Sequence, residues 1–287
     1  MKPRPEKTIE LFLLLNALTA VFIFVLICLF IFNEGLPVFI KYGLTGILGG
    51  KLWDPANSSF GLLPMIMGSV YIAAGSLIIG VPLGIGCAIF LAEMAPRQLA
   101  GIIRPAIGLM AGIPPVVFGF YGLVVLVPLI KELFGGMGFS ALSGSIVLAI
   151  MILPTIITIS EQSIRAVPKE FKKGSLALGA NHWQTIKTII LPAAKSGIVT
   201  SVVLGLGRAV GETMAIVLVT GNVAIIPGSV LDPVRSLTSH IAIEMGYASG
   251  DQASALFAAG IVLFVFILLL NSLVLLIPQK VGERFEN

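Results

Sequence analysis

Two opposite charges stand four residues apart inside an apolar segment of this chain. The segment covers residues 196–221, reads SGIVTSVVLGLGRAVGETMAIVLVTG, and carries no charge apart from Arg208 and Glu212. At mid-membrane depth an arginine costs about 2.5–3.5 kcal/mol on insertion scales, and such residues usually face a bundle interior or a water-filled path. On a continuous helix the two side chains would share a face and could pair. The pair predicts either a polar point on a transport route or a structural ion pair that fixes helix packing.

The composition indicates a protein built into a membrane. Hydrophobic residues make up 57% of the 287 residues, charged residues make up 11%, and the mean hydropathy is +1.05. A soluble domain carries about 25% charged residues. The net charge of +4 comes from cations clustered in a few loops, which indicates orientation in a bilayer and not nucleic-acid binding. We therefore expect a single transmembrane domain over residues 1–287.

Six segments are apolar and long enough to cross a bilayer as helices, which takes about 20 residues each. They cover about residues 10–32, 63–92, 106–130, 142–159, 196–220 and 255–277, and the third is interrupted by Pro114-Pro115. Long continuous runs favour helices over the short alternating strands of a barrel. The predicted fold class is an all-α polytopic membrane protein with six transmembrane helices.

The placement of lysine and arginine predicts the orientation of these helices. The side that holds both termini carries thirteen of them: Lys2, Arg4, Lys7, Arg97, Arg104, Arg165, Lys169, Lys172, Lys173, Lys187, Lys195, Lys280 and Arg284. The opposite side carries four: Lys41, Lys51, Lys131 and Arg235. The excess places both termini in the cytoplasm. Two histidines, His182 in an inner connection and His240 in an outer one, lack metal or catalytic spacing and are expected to be solvated.

The longest inner connection, residues 161–196, predicts two short helices with a glycine elbow. Pro168 suits a helix start, Gly179 permits a turn, and Pro192 ends the pattern. Gly179, nine further residues and then Ile-Ile-Leu-Pro resemble the ATPase-docking loop of ATP-binding-cassette (ABC) importer permeases. The family's preceding Glu-Ala-Ala triplet is replaced here by Lys173-Gly174-Ser175. The alternative is an amphipathic helix pair at the membrane surface with no partner.

The resemblance assigns docking roles within that loop. The residues concerned are Gly174, Ala177, Gly179, Ala180, Leu191 and Pro192. The resemblance implies the type I ABC importer permease fold. It also implies a second homologous permease chain, two ABC ATPase subunits and an extracytoplasmic binding protein. The chain has no G-x-x-x-x-G-K-[ST] phosphate loop of its own, so the expectation is a transport subunit without a cofactor, whose ATP and Mg are bound by the ATPases.

Two further runs resemble phosphate-specific importer permeases. Residues 205–215, GLGRAVGETMA, are similar to that family's G-R-A-x-G-E-T-M-A signature, and residues 111–119, AGIPPVVFG, to its A-G-I-P-S-V-V-Y-G segment. The early outer loop, with Trp53-Asp54-Pro55 and then residues 60–64, resembles the PstC-type subunit. Such proteins lie in the cytoplasmic (inner) membrane of prokaryotes. The implied substrate is inorganic phosphate, and a permease for sulfate, molybdate or phosphonate, or a passive anion channel, remains the alternative.

The residue types suit that substrate. An arginine offers a planar fork of donors that matches phosphate oxygens, and it stays charged at every working pH. Glu212 could hold Arg208 when no substrate is present, and the Thr213 hydroxyl could bond an oxyanion. Pro114 and Pro115 either bend the third span toward the pathway or form a simple kink.

Overall fold

The computed structural model describes the backbone of residues 5–275 and the side chains of residues 9–269, 271 and 272. The predicted charges at Lys2, Arg4, Lys7, Lys280 and Arg284, and the end of the sixth predicted span, lie outside these residues. The described helices are α1 Pro5–Tyr42, α2 Leu44–Gly49, α3 Leu63–Ile89, α4 Arg97–Gly112, α5 Pro115–Tyr121, α6 Val127–Phe134, α7 Ala141–Arg165, α8 Lys169–Ala177, α9 His182–Thr185, α10 Leu191–Ala193, α11 Lys195–Gly211, α12 Met214–Val219, α13 Leu237–Glu244 and α14 Asp251–Leu275.

Shorter elements join these helices. π-helical turns extend α3 through Phe90–Met94, join α5 to α6 through Gly122–Leu126, and join α9 to α10 through Ile186–Ile190. The strands β1 Trp53–Asp54 and β2 Ser59–Phe60 form a small antiparallel pair around the 3-10 turn Pro55–Asn57.

Five stretches of helix are long and apolar enough to cross a membrane, and a sixth is bent. The five are Ile9–Tyr42, Leu63–Met94, Pro115–Phe134, Ala141–Arg165 and Asp251–Leu269. The sixth candidate is a pair of helices, His182–Ala193 and Lys195–Gly211, which meet at an angle of 69°. The all-α architecture is confirmed, and the described helices give five spans, or the predicted six if the bent pair is one span.

Two predicted spans have different limits because the chain breaks its helices there. The third does not begin near residue 106, since α4 ends at Gly112 and a new helix starts at Pro115. A proline favours the preceding residue in an extended conformation, and Pro114 has ψ of 140°. The fifth is not continuous to residue 220, since α11 ends at Gly211 and α12 begins at Met214.

The core of the bundle lies between α3, α7, α11 and α12. Its most completely buried side chains include Ile152 and Ile156 of α7 and Ile216 of α12. Gly84 of α3 lies so close to α7 that a Cβ there would stand 2.6 Å from Ile156 Cγ2. Outside this core α1 pairs with α14, and most side chains along α1 are exposed and apolar, as suits a lipid-facing helix.

Candidate substrate path and docking loop

The polar signature of the fifth span forms a break between two helices. Glu212 has φ of −71° and ψ of 133°, an extended conformation that ends α11. Its Oε1 accepts hydrogen bonds from the backbone N–H groups of Thr213, at 3.0 Å, and Ala215, at 3.2 Å. The carboxylate therefore satisfies free donors at the start of α12.

The expected ion pair between Arg208 and Glu212 is not formed, so this part of the prediction is wrong. The pair needs one continuous helix through both residues, and the chain turns away at Gly211. Within the part of the chain that the structure describes, the half-buried Arg208 guanidinium makes no hydrogen bond or ion pair. Its donors are free for an anion that approaches the break.

A second helix start lies next to this break. Pro114 precedes α5 and Pro115 is its first residue, where the missing N–H is no loss. A Cβ on Gly119, in the next turn of α5, would stand 2.7 Å from Ala215 Cα in the first turn of α12. The Pro114-Pro115 segment and the Glu212-Thr213 segment therefore begin two helices that pack together.

The glycines around Arg208 do not all serve helix packing. A Cβ on Gly205 would lie 3.1 Å from Ile156 Cγ1, so this glycine allows α11 to approach α7. Gly207 and Gly211 have no atom within 4 Å of such a Cβ. The backbone beside Arg208 and Glu212 is thus left accessible.

The outer helix α13 braces the break. Thr238 Oγ1 donates to the carbonyl oxygen of Glu212 at 2.8 Å, and Ser69 Oγ of α3 accepts from the Leu237 N–H at 2.9 Å. Ser236 caps α13 and exchanges hydrogen bonds with Ser239 in a capping box. Hydropathy does not reveal this short helix, but the spacing of Ser236 and Ser239 is an N-cap signal.

A buried polar cluster lies at the other end of α13. Arg235 Nη1 donates to Glu244 Oε1 at 2.7 Å, and Trp53 Nε1 donates to Glu244 Oε2 at 2.7 Å. His240 has none of its surface exposed, stacks edge-on to Trp53, and lies 3.3 Å from Arg235 Nη1 through Nδ1. The expectation that His240 is solvated is therefore wrong, because tertiary contacts with β1 enclose it.

Burial also sets the protonation of this imidazole. Desolvation, reinforced by the Arg235 charge, lowers the pKa of His240 from 6.5 to about 3. Glu244 Oε1 lies 3.5 Å from Nδ1, but Glu244 is already engaged by Arg235 and Trp53. The imidazole is neutral at physiological pH, and its Nε2 has no partner among the described residues.

The predicted elbow of the docking loop is present. Gly179 has φ of +88°, which favours glycine, and a Cβ there would meet no atom within 4 Å. Its N–H donates to Leu176 O, and the Ala180 N–H donates to Ser175 O, the two bonds of a Schellman motif. Asn181 then starts α9 in a capping box with Gln184. Two short helices thus meet at this glycine, as the sequence predicts.

The tip of the loop exposes apolar side chains. Leu178 is 91% exposed and Trp183 is 58% exposed. Among the other predicted docking residues, Gly174, Ala177 and Pro192 are exposed, whereas Ala180 and Leu191 are half-buried.

Glu93 fastens this loop to the end of the second span, a role that the sequence does not show. Its carboxylate forms an ion pair with Lys172 of α8 and lies 3.4 Å from His182 Nε2 of α9. His182 is otherwise exposed, as expected. Lys172 and Glu93 are 79 residues apart, so only the folded chain brings them together. Within the described residues no group of three or more His, Cys, Asp or Glu side chains is placed to hold a metal ion.

The fold, a helical membrane bundle with an inserted helical loop, is also found in solved ABC transporters. Among solved structures, the chain is similar to a bacterial alginate ABC transporter in complex with an alginate pentasaccharide-bound periplasmic protein. The TM-score is 0.64 at 18% identity, over 97% of this chain and 98% of that one. An inward-facing MetNI methionine ABC transporter gives a TM-score of 0.58 at 18% identity, over 78% and 96% of the two chains. At these identities the likeness shows the fold alone.

The family follows from sequence comparison. Residues 80–283 match the model of the binding-protein-dependent transport system inner membrane component, and the chain belongs to this family. It is a transport subunit and not an enzyme. It is 42% identical to the probable ABC transporter permease protein YqgH of Bacillus subtilis (strain 168), over 87% of this chain and 84% of that one. It is 37% identical to the phosphate transport system permease protein PstC of Haemophilus influenzae, over 82% and 79%.

Proposed function

We propose that this chain is the permease subunit of an ATP-driven importer that carries inorganic phosphate across the cytoplasmic membrane. Relatives named as phosphate permeases support the substrate. The observation that carries the proposal is Arg208, whose guanidinium has no partner in the described part of the chain and lies beside a break between two helices of a span. A buried cation is otherwise paired, so this one is available to a passing anion.

The residues around Arg208 give the route a chemistry suited to release as well as binding. Phosphate must leave much of its water behind, and the guanidinium replaces part of that water with a fork of donors. Glu212 is the residue directly after α11, and its carboxylate is fixed by two backbone hydrogen bonds. Its negative charge repels an anion at Arg208 and so weakens the binding of that anion. Thr213 offers a hydroxyl next to Glu212, since the only hydrogen bond of this hydroxyl within the described residues, to Gly211 O, is 3.4 Å long.

The remaining parts of the importer act from both sides of the membrane. The exposed Leu178 and Trp183 at the loop tip suit a hydrophobic cleft on an ABC ATPase. Two such ATPases bind ATP and Mg. A homologous permease chain forms the second half of the pathway, and an extracytoplasmic binding protein captures phosphate. Both termini then lie in the cytoplasm. Ion pairs join residues that this orientation puts on one side, since predicted inner cations pair with Glu93 and Glu161 and predicted outer ones with Asp251 and Glu244.

Uptake in reconstituted vesicles tests the substrate. The vesicles contain this chain with its partner permease and ATPases, and receive radiolabelled phosphate on the binding-protein side. We expect uptake that requires ATP and is suppressed by unlabelled phosphate, while an equal excess of sulfate, molybdate or phosphonate leaves it unchanged. Equal suppression by one of those ions makes the chain a permease for another oxyanion. Uptake without ATP makes it a passive channel.

A further inference from the structure

A carboxylate between two arginines lies where α4 meets the end of α7, apart from the break at Arg208. Glu161 is 7% exposed. Its Oε1 lies 2.7 Å from Arg104 Nε and 3.2 Å from Arg165 Nε. One carboxylate cannot neutralise two guanidinium groups, so the cluster keeps a net charge of +1, two cations less one anion.

Most of the donors of the two arginines remain unused. Arg104 Nη2 donates to Leu91 O at 3.2 Å. Within the described residues, Arg104 Nη1 and both terminal nitrogens of Arg165 have no hydrogen-bond acceptor. Free guanidinium nitrogens of this kind bind carboxylates and phosphates through paired hydrogen bonds.

A cavity of about 350 Å³ opens over these donors. Its polar lining comes from Arg104, Arg165 and Glu161 with Thr158 and Gln162, and its apolar lining from Ile107, Gly108 and Ile157. Thr158 and Gln162 are exposed and make no hydrogen bond through their side chains with another described residue. The cavity therefore offers cationic forks, a hydroxyl and an amide on one side and an aliphatic wall on the other.

We propose that this cavity binds a phosphate-type oxyanion at the cytoplasmic end of the bundle. The free terminal fork of Arg165 and the free Nη1 of Arg104, held by one carboxylate, fit a tetrahedral oxyanion better than a cationic ligand. The group is either free phosphate from the cytoplasm or the headgroup phosphate of an anionic phospholipid, whose chains would lie along the aliphatic wall. Either ligand binds whether or not phosphate is the cargo of the transporter.

Two variants remove the site by different means. Arg165→Gln removes a half-exposed cation but leaves Glu161 paired with Arg104. Gly108→Leu adds bulk at the cavity wall, and a Cβ at Gly108 meets no atom within 4 Å, so the change causes no clash at Cβ. Gly101→Leu is the matched control, since Gly101 is on the same helix, is equally open, and does not line the cavity.

The measurement is the binding of inorganic phosphate or anionic lipid to the full-length chain in lipid nanodiscs. Every sample also carries Arg208→Gln, which removes phosphate binding at the helix break. In phosphatidylcholine discs, equilibrium binding of radiolabelled inorganic phosphate reports the free ion. In discs that also contain phosphatidylglycerol, native mass spectrometry counts the anionic lipid retained. We expect one of the two ligands to bind about tenfold more weakly to the Arg165→Gln and Gly108→Leu variants, as for loss of a charge-assisted hydrogen bond, and normally to the Gly101→Leu variant.

Which ligand is lost identifies the source of the phosphate group. If neither ligand depends on Arg165 and Gly108, or if Gly101→Leu weakens binding as much, the proposal is overturned. Should the Gly108→Leu chain fail to elute as a monodisperse species, Arg165→Gln alone decides. Failure of phosphate uptake by the whole importer would leave this result unaffected.

Discussion

Glu212 acts on the helix break through backbone hydrogen bonds and not through Arg208. Its carboxylate accepts from Thr213 and Ala215, so the start of α12 depends on an acceptor atom more than on a charge. A neutral amide can still accept at this position, whereas a methyl group cannot. Comparison of Glu212→Gln with Glu212→Ala therefore distinguishes a capping role of Glu212 from an ion pair with Arg208.

We expect Glu212→Gln to leave the stability of the purified chain nearly unchanged and Glu212→Ala to lower it by about 1 kcal/mol, the usual value of a helix cap. The midpoint of thermal unfolding in detergent, read for both variants beside wild type, measures the difference. A loss of about 3–5 kcal/mol in the Gln variant would instead indicate a broken buried ion pair with Arg208.

His240 predicts a dependence of stability on pH. Its pKa is about 3 in the folded chain and 6.5 in the unfolded one, so between these values the unfolded state binds more protons. The contribution of His240 to stability is therefore nearly constant above about pH 6.5 and falls as the pH drops, by about 2 kcal/mol at pH 5.

We expect the unfolding midpoint of wild type to fall between pH 7.5 and pH 5, and that of His240→Gln to change less. The cause is that the buried imidazole cannot bind a proton in the folded state but can in the unfolded state. Glutamine does not titrate, so the variant lacks this difference. An equal fall in both proteins would attribute the pH dependence to other groups. Sequence could not predict this burial, because Trp53 and His240 meet only after β1 folds onto α13.

The docking loop is an element whose shape depends on one glycine. Gly179 has a positive φ and open space around it, so a side chain there acts through backbone strain and not through a clash. Asparagine adopts this conformation more readily than β-branched valine does. Both substitutions add a side chain, but Gly179→Asn causes less backbone strain than Gly179→Val.

We expect Gly179→Val to reduce co-purification of the ATPase and ATP-driven uptake together, and Gly179→Asn to reduce them much less. Cysteines placed at Leu178 and Ala180 should crosslink to the ATPase in the wild-type background. If the Val variant retains full ATPase binding and uptake, and neither cysteine crosslinks, the loop is an interfacial helix pair without a docking role.

Glu93 connects the same loop to the second span. Glu93→Gln keeps the size of the side chain but removes the carboxylate charge that pairs with Lys172 and lies beside the imidazole of His182. We expect the ATPase still to co-purify, because the loop tip is unchanged, but less phosphate to be imported per ATP hydrolysed. Lys169→Gln is the control, since Lys169 is an exposed lysine of the same helix outside the pair. An unchanged ratio of uptake to hydrolysis would show that the pair does not transmit motion.

At the scale of the whole molecule, hydropathy predicts where the chain crosses the membrane, because each span is a long apolar run. It does not predict where a span breaks. Gly211-Glu212-Thr213 contains no proline to mark its break, and the hydrogen bond from Thr238 of α13 to the carbonyl of Glu212 forms only in the folded chain. The proline pair is the opposite case, since Pro114 and Pro115 identify their break from sequence alone. Local signals of this kind also predicted the glycine elbow.

Within the described residues, Arg208 is unpaired beside the break between α11 and α12, and transport is inferred from that arrangement. The most direct measurement is phosphate uptake by the assembled importer with Arg208→Gln and Arg208→Lys, at equal amounts of assembled complex. We predict that the Gln variant abolishes uptake and that the Lys variant retains part of it, since an ammonium keeps the charge but lacks the planar fork. Normal uptake by the Arg208→Gln importer would contradict the account and leave Arg208 a structural residue.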